Sequence, residues 1–177
     1  MAHVEIIMGS MFSGKSTELM RRCRTYTAIN KQVCLINHSY DTRSARELKT
    51  HDNVTMQAIK TTQLCTLPID PEVDIVAIDE AQFFDDLYDF ILLNETKKNL
   101  VILISGLDGD SSRNPFGQIF KCIPLCDSVT KLYAMCSECK DGTPGIFSKR
   151  LAASTDQVCI GASNQFISVC RRHYLMK

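Results

Sequence analysis

Gly9-x4-Gly14-Lys15-Ser16 is a spacing that can hold a polyphosphate. Glycines let consecutive backbone N–H groups curl inward toward phosphate oxygens, the lysine neutralises β and γ charge, and the serine offers a hydroxyl to Mg²⁺. The loop of Gly9, Ser10, Met11, Phe12, Ser13, Gly14, Lys15 and Ser16 therefore implies ATP or GTP with magnesium. A second group fits the first. The apolar run 73–78 ends in Asp79-Glu80, two carboxylates at the carboxyl end of a strand, where open α/β sheets bind their ligands. Asp79 is the expected magnesium partner, directly or through water. Glu80 is left close to the γ-phosphate, where a carboxylate takes the proton from an incoming hydroxyl, either of water or of a substrate.

Cys136-x-x-Cys139 and Cys170-x-x-His173 are two metal knuckles that pin the ends of the intervening residues 140–169. Three cysteines and a histidine make a closed tetrahedral zinc site, structural because no position stays open for a reacting group. A zinc-folded ribbon could instead grip nucleic acid, but this region has no aromatic-basic interleaving beyond Arg171-Arg172.

These groups need a sheet to position them. Residues 4–8, 32–37, 73–78 and 100–105 are short, apolar and largely β-branched, as strands covered on both faces are, and they predict a parallel sheet. Residues 16–30 place Leu19, Cys23 and Tyr26 on one helical stripe. Residues 85–98 do the same with Leu87, Tyr88 and Ile91, acidic at the start and closing on Lys97-Lys98, as the helix dipole prefers. The alternation predicts an α/β fold over residues 1–128: a P-loop NTPase-like parallel sheet flanked by helices. From 129 to 177 the helical period fades, and polar-interrupted runs at 129–135, 145–148 and 157–160 predict a small β-rich zinc-binding lobe.

Lys plus Arg and Asp plus Glu number 20 each, so the chain lacks the net positive charge that nonspecific binding to DNA needs. Nine cysteines, an odd count, with no secretion-type leader around Val4-Glu5-Ile6-Ile7, argue for reduced thiols. No run of 18 apolar residues is present, and the expectation is a soluble cytoplasmic protein without membrane or nucleic-acid partners. The cysteines at 23, 34, 65, 122, 126 and 159 read as small core residues.

GSMFSGKSTE, DTR at 41–43, THD at 50–52, IDEAQFFDD at 78–86, LDG at 107–109, FSKR at 147–150 and SVCRRHY at 168–174 together resemble the zinc-containing class of thymidine kinases, nearly end to end. IDE-x-QFF is much more specific than the phosphate loop. The resemblance implies transfer of the ATP γ-phosphate to the 5′-hydroxyl of thymidine, with Glu80 as general base. Contacts to the phosphates and magnesium then fall to the loop, Asp79, Gln82, Asp41 and Arg43. A planar guanidinium at Arg43 suits the developing charge, while His51 reads as structural.

The resemblance further implies an apolar base pocket at Met11, Phe83, Leu107 and Phe116. Above it lies a zinc-held lasso loop whose backbone at Gln157, Val158, Cys159, Ile160 and Gly161 hydrogen-bonds the pyrimidine edge. Phe166 stands where the family usually has a tyrosine. Ser111 stands where the family usually carries an aromatic that stacks on the base, a contact worth about 1–3 kcal/mol in single-strand binding. Its loss would raise the Michaelis constant or loosen base choice unless Phe84 or Phe116 compensates. Homotetramers and feedback inhibition by thymidine triphosphate (dTTP) are implied by the family and specified by no residue here. Two other readings stand beside this one: a broader pyrimidine deoxynucleoside kinase and, from a different class, a P-loop ATPase or DNA-binding zinc module.

Overall fold

Side chains alternate between the two faces of a strand, so a strand apolar throughout must be covered on both. The computed structural model, which describes residues 1–40, 47–49, 55–151, 157 and 165–176, shows the four apolar runs covered in this way. In chain order come β1 (His3–Gly9), α1 (Lys15–Thr27), β2 (Val33–His38), β3 (Glu47–Lys49), β4 (Thr55–Gln57), β5 (Ile59–Thr61) and β6 (Ile75–Asp79). A 3-10 turn (Ala81–Phe83), α2 (Leu87–Asn94), β7 (Val101–Leu107), α3 (Ile119–Cys122) and a second 3-10 turn (Ile123–Leu125) follow. The chain continues through β8 (Ser128–Leu132), β9 (Ala134–Met135), β10 (Pro144–Gly145), β11 (Phe147–Arg150), β12 (Phe166–Val169) and α4 (Arg171–Leu175).

Six strands form one sheet in the order β5-β2-β6-β7-β1-β8, parallel at every pairing. Ile6, Ile36, Ile78 and Ile104 turn to the face covered by Leu87, Phe90 and Ile91 of α2. Their chain neighbours Ile7, Leu35, Ala77 and Leu103 turn to the opposite face, against Leu19, Met20 and Cys23 of α1. Burying one such side chain stabilises the fold by roughly 1.5–3 kcal/mol. Arg22 ties α1 to the sheet by polar contacts, reaching Glu5 of β1 and donating to Thr130 Oγ1 of β8 at 3.0 Å.

Three expectations change: Cys65, read as a core residue, is exposed. The run 129–135 is divided: Ser128–Leu132 pairs in parallel with β1 as the sixth strand, and only Ala134–Met135 belongs with the short antiparallel pairs β9–β10 and β11–β12. The helix expected over 85–98 spans Leu87–Asn94. The Asn94 side-chain amide donates to the Phe90 carbonyl at 2.7 Å. Such local side-chain bonding competes with helix continuation. Among the described residues no helix is long and apolar enough to cross a membrane.

Candidate active site

All six parallel strands present their carboxyl ends at one edge, and the register aligns the groups singled out above. Gly9 pairs with Leu107, and Asn37 pairs with Asp79. The two loop glycines are required for different reasons. A Cβ on Gly9 would stand 2.1 Å from the Leu132 carbonyl oxygen, so nothing larger than hydrogen fits. Gly14 lies in open space at φ 81°, the left-handed conformation that turns the chain into α1. Lys15 folds back across the loop, its Nζ donating to the Ser10 carbonyl at 2.7 Å.

Asp79 is 1% exposed, and an ionised carboxylate so buried needs hydrogen bonds. It has them: Ser16 Oγ donates to Oδ2 and Ser105 Oγ to Oδ1, each at 2.7 Å. Serine hydroxyl and carboxylate are hard oxygen donors held side by side at the mouth of the loop, a donor set that suits Mg²⁺ with nucleotide phosphates. Glu80 follows at φ 53°, a left-handed conformation that a residue with a Cβ keeps only when its surroundings hold it. Gln82 does so. Its Nε2 donates to Glu80 Oε2 at 2.7 Å, and its Oε1 accepts the Leu107 amide at 3.0 Å, so Gln82 braces Glu80 against β7.

Beside Glu80, Phe83 meets Phe116 edge-to-face with ring centroids 5.4 Å apart. Tyr40 and His38 extend this aromatic group, each 5.5 Å from Phe83. Burial pushes the His38 imidazole down against the pull of Asp85 and Glu80, and its Nδ1 accepts the Tyr40 amide at 3.1 Å. Neither residue carried a sequence signal, since a lone aromatic after a strand has no diagnostic spacing. Met11 is half-buried, with both its backbone groups bonded to the small lobe: its N–H donates to Ser148 Oγ at 2.9 Å and its carbonyl accepts Ser168 Oγ at 2.6 Å.

The backbone at Ser111 is fixed by the lobe as well, its carbonyl accepting the Tyr174 hydroxyl at 2.7 Å while the Arg113 guanidinium lies 4.6 Å over the Tyr174 ring. Gln157 reaches the same loop, its Nε2 donating to Asp110 Oδ2 at 2.8 Å. Phe166 packs under the Arg150 guanidinium at 4.9 Å. Asp41, Arg43, His51, Val158, Cys159, Ile160 and Gly161 lie outside the described residues.

The two knuckles meet. Cys139 Sγ lies 3.8 Å from Cys170 Sγ, and His173 Nδ1 lies 3.3, 3.4 and 3.6 Å from the sulfurs of Cys139, Cys170 and Cys136. Tetrahedral zinc with bonds of about 2.0–2.3 Å sets its ligand atoms about 3.4–3.8 Å apart, so the cluster has the size of a zinc site. Burial opposes ionisation of the Cys136 thiol, yet the N–H groups of Cys170, Cys139 and Glu138 outweigh it and draw the thiol down to about 6. The thiolate is the form that binds metal.

A family model described as thymidine kinase matches residues 2–174. The chain belongs to the thymidine kinase family. It is 40% identical to the thymidine kinase of Vaccinia virus (strain Western Reserve) over 177 residues, covering 98% of this chain and 97% of the viral one. The thymidine kinase of Variola virus is 40% identical over the same shares. Thymidine kinase a of Arabidopsis thaliana is 38% identical over 179 residues, covering 97% of this chain and 74% of the plant protein. For a thymidine kinase the arrangement is chemically apt: a phosphate-type loop, an acidic pair at the strand ends, a group of aromatic rings beside them and, on the flank, a Cys3His group that could hold a metal.

Proposed function

We propose that this chain transfers the γ-phosphoryl group of ATP to the 5′-hydroxyl of thymidine, giving thymidine monophosphate for DNA precursor supply. The observation that carries the reading is Glu80, held by Gln82 one residue beyond the Ser16–Asp79 pair, in a chain of the thymidine kinase family. Lys15 and the N–H groups of the loop bind the β and γ phosphates. Ser16 and Asp79 would hold magnesium, which would offset the negative charge of the phosphates during transfer. Glu80 accepts the proton of the 5′-hydroxyl, and Phe83, Phe116, Leu107 and Met11 hold the base away from water. Cys136, Cys139, Cys170 and His173 would hold zinc in a structural role, and backbone groups of residues 157–161 recognise the pyrimidine in this reading.

Asp41 and Arg43 attend the phosphates in this reading. A cytoplasmic homotetramer inhibited by thymidine triphosphate, with no nucleic-acid partner, completes it. The lobe that closes the site acts as a unit separate from the nucleotide-binding sheet.

Ser111 favours one second reading, a broader pyrimidine deoxynucleoside kinase, because a serine cannot stack on a base. Phosphorylation rates with thymidine, deoxyuridine and deoxycytidine separate the two. Thymidine as the best substrate is the expected result, and deoxycytidine as the best would sink the main claim. ATP hydrolysis without nucleoside, stimulated by DNA, would instead mark an ATPase or DNA-binding module.

A further inference from the structure

The phosphate loop is fastened at its tip to the metal lobe by three hydrogen bonds that share one short segment. Ser10 Oγ donates to the Gly145 carbonyl at 2.9 Å, and the Met11 N–H and carbonyl are taken by Ser148 and Ser168. Ser148 and Ser168 face each other directly across the β11–β12 pair and are 6% and 2% exposed. A pair of buried hydroxyls on adjacent strands thus grips both backbone groups of a single residue.

The next residue shows why a grip is needed. Phe12 sits at φ 62° and has a Cβ, a conformation that lasts only where the surroundings dictate it. Fixing Met11 on one side, with Gly14 turning into α1 on the other, leaves the chain little alternative. The serines are in turn held by the metal cluster. The Ser168 carbonyl accepts the Ser137 amide at 2.9 Å, the Cys170 amide donates to Cys136 Sγ at 3.3 Å, and Cys136 and Cys170 are cluster members two residues or fewer from those serines or amides.

We infer that Ser148 and Ser168 are positioning residues for the ATP phosphates: they hold Met11 so that the loop between Phe12 and Gly14 keeps its phosphate-accepting shape before nucleotide binds. The inference rests on the reading of this loop as the ATP site. The clamp touches no phosphate itself. Its effect falls on the affinity of the donor nucleotide, since a loop free to leave the strained conformation must be reordered each time ATP binds.

The test is calorimetric titration of the Ser148→Ala/Ser168→Ala chain with magnesium-ATP in the absence of nucleoside, alongside measurement of its zinc content. The dissociation constant is expected to rise about tenfold, the scale set by losing one or two buried hydrogen bonds, with zinc content at the wild-type level. Ser168→Thr, which keeps a hydroxyl, is expected to bind ATP like the wild type. Should the double variant fail to fold, Ser148→Ala alone is read the same way, with a rise of a few fold. A dissociation constant within twofold of wild type in a zinc-replete variant overturns the inference, even if the melting temperature falls, because that pattern marks a purely structural contact. A wild-type chain that binds no ATP would overturn the functional reading itself and the clamp with it.

Discussion

Ser16 and Asp79, brought together from the first turn of α1 and the last residue of β6, share a hydrogen bond of 2.7 Å. Ser105 fills the second carboxylate oxygen at the same distance, so Asp79 is aimed before any nucleotide arrives. Asp79→Asn keeps the size of the side chain but removes its charge. Turnover is expected to fall about 10²–10³-fold, and ATP affinity to lose most of its dependence on magnesium. Steady-state rates and ATP titrations across magnesium concentrations check this, and an unchanged magnesium dependence would remove Asp79 from the metal site.

Glu80→Gln preserves the shape of the side chain and leaves an oxygen to accept from Gln82 Nε2. The variant is expected to fold and to bind ATP within twofold of wild type while losing about 10²–10⁴ in kcat, the usual contribution of a general base. Near-normal turnover would exclude Glu80 from proton transfer.

Removing metal from Cys136, Cys139, Cys170 and His173 separates the knuckles that join the β9–β10 pair to β12 and α4. With a strong chelator, amide hydrogen exchange is expected to rise first in residues 134–150 and 166–175, while β1, β6 and β7 stay protected. One simultaneous loss of protection in both regions would mean that the lobe is not a separable unit.

Glu18 lies between Arg21 and Arg22; the hydrogen bond from Arg21 outweighs the opposing effect of burial and, with a weaker one from Arg22, holds the carboxyl down to about 2. A carboxyl with a depressed folded value stabilises the fold above its ordinary value, near 4.5, and loses that contribution as pH falls toward 2. Glu18→Gln is therefore expected to cost about 1 kcal/mol at pH 7, the upper range for a partly exposed pair. The gap between variant and wild type should narrow between pH 4.5 and 2. Denaturant melts of both chains across that range measure it, and a gap independent of pH would assign the loss to packing.

The central strands were legible because burial on both faces writes a continuous apolar run into β1, β2, β6 and β7. The edge strands left no such trace. Ile59–Thr61 and Ser128–Leu132 are half-exposed and mix polar with apolar residues, as strands with one neighbour do. At the site, chemistry tied to a fixed local spacing could be read directly: the phosphate loop, Asp79-Glu80, and the two knuckles. Groups assembled across long separations could not. Ser148 and Ser168 meet Met11 from more than a hundred residues away, Tyr174 meets Ser111 across the lobe boundary, and Ser105 joins Asp79 from the neighbouring strand. A single serine carries no periodicity, and its role exists only once the sheet has formed.

β1 opens the phosphate loop, yet among the described residues it pairs only with β7 and β8. Both are synthesised long after it. As the polypeptide leaves the ribosome, β2 and β6 can join while the first strand still has no partner on either side, and long-range parallel pairing of this kind is slow to form. Shaping of the loop that follows β1 therefore waits on strands that lie far downstream in the chain.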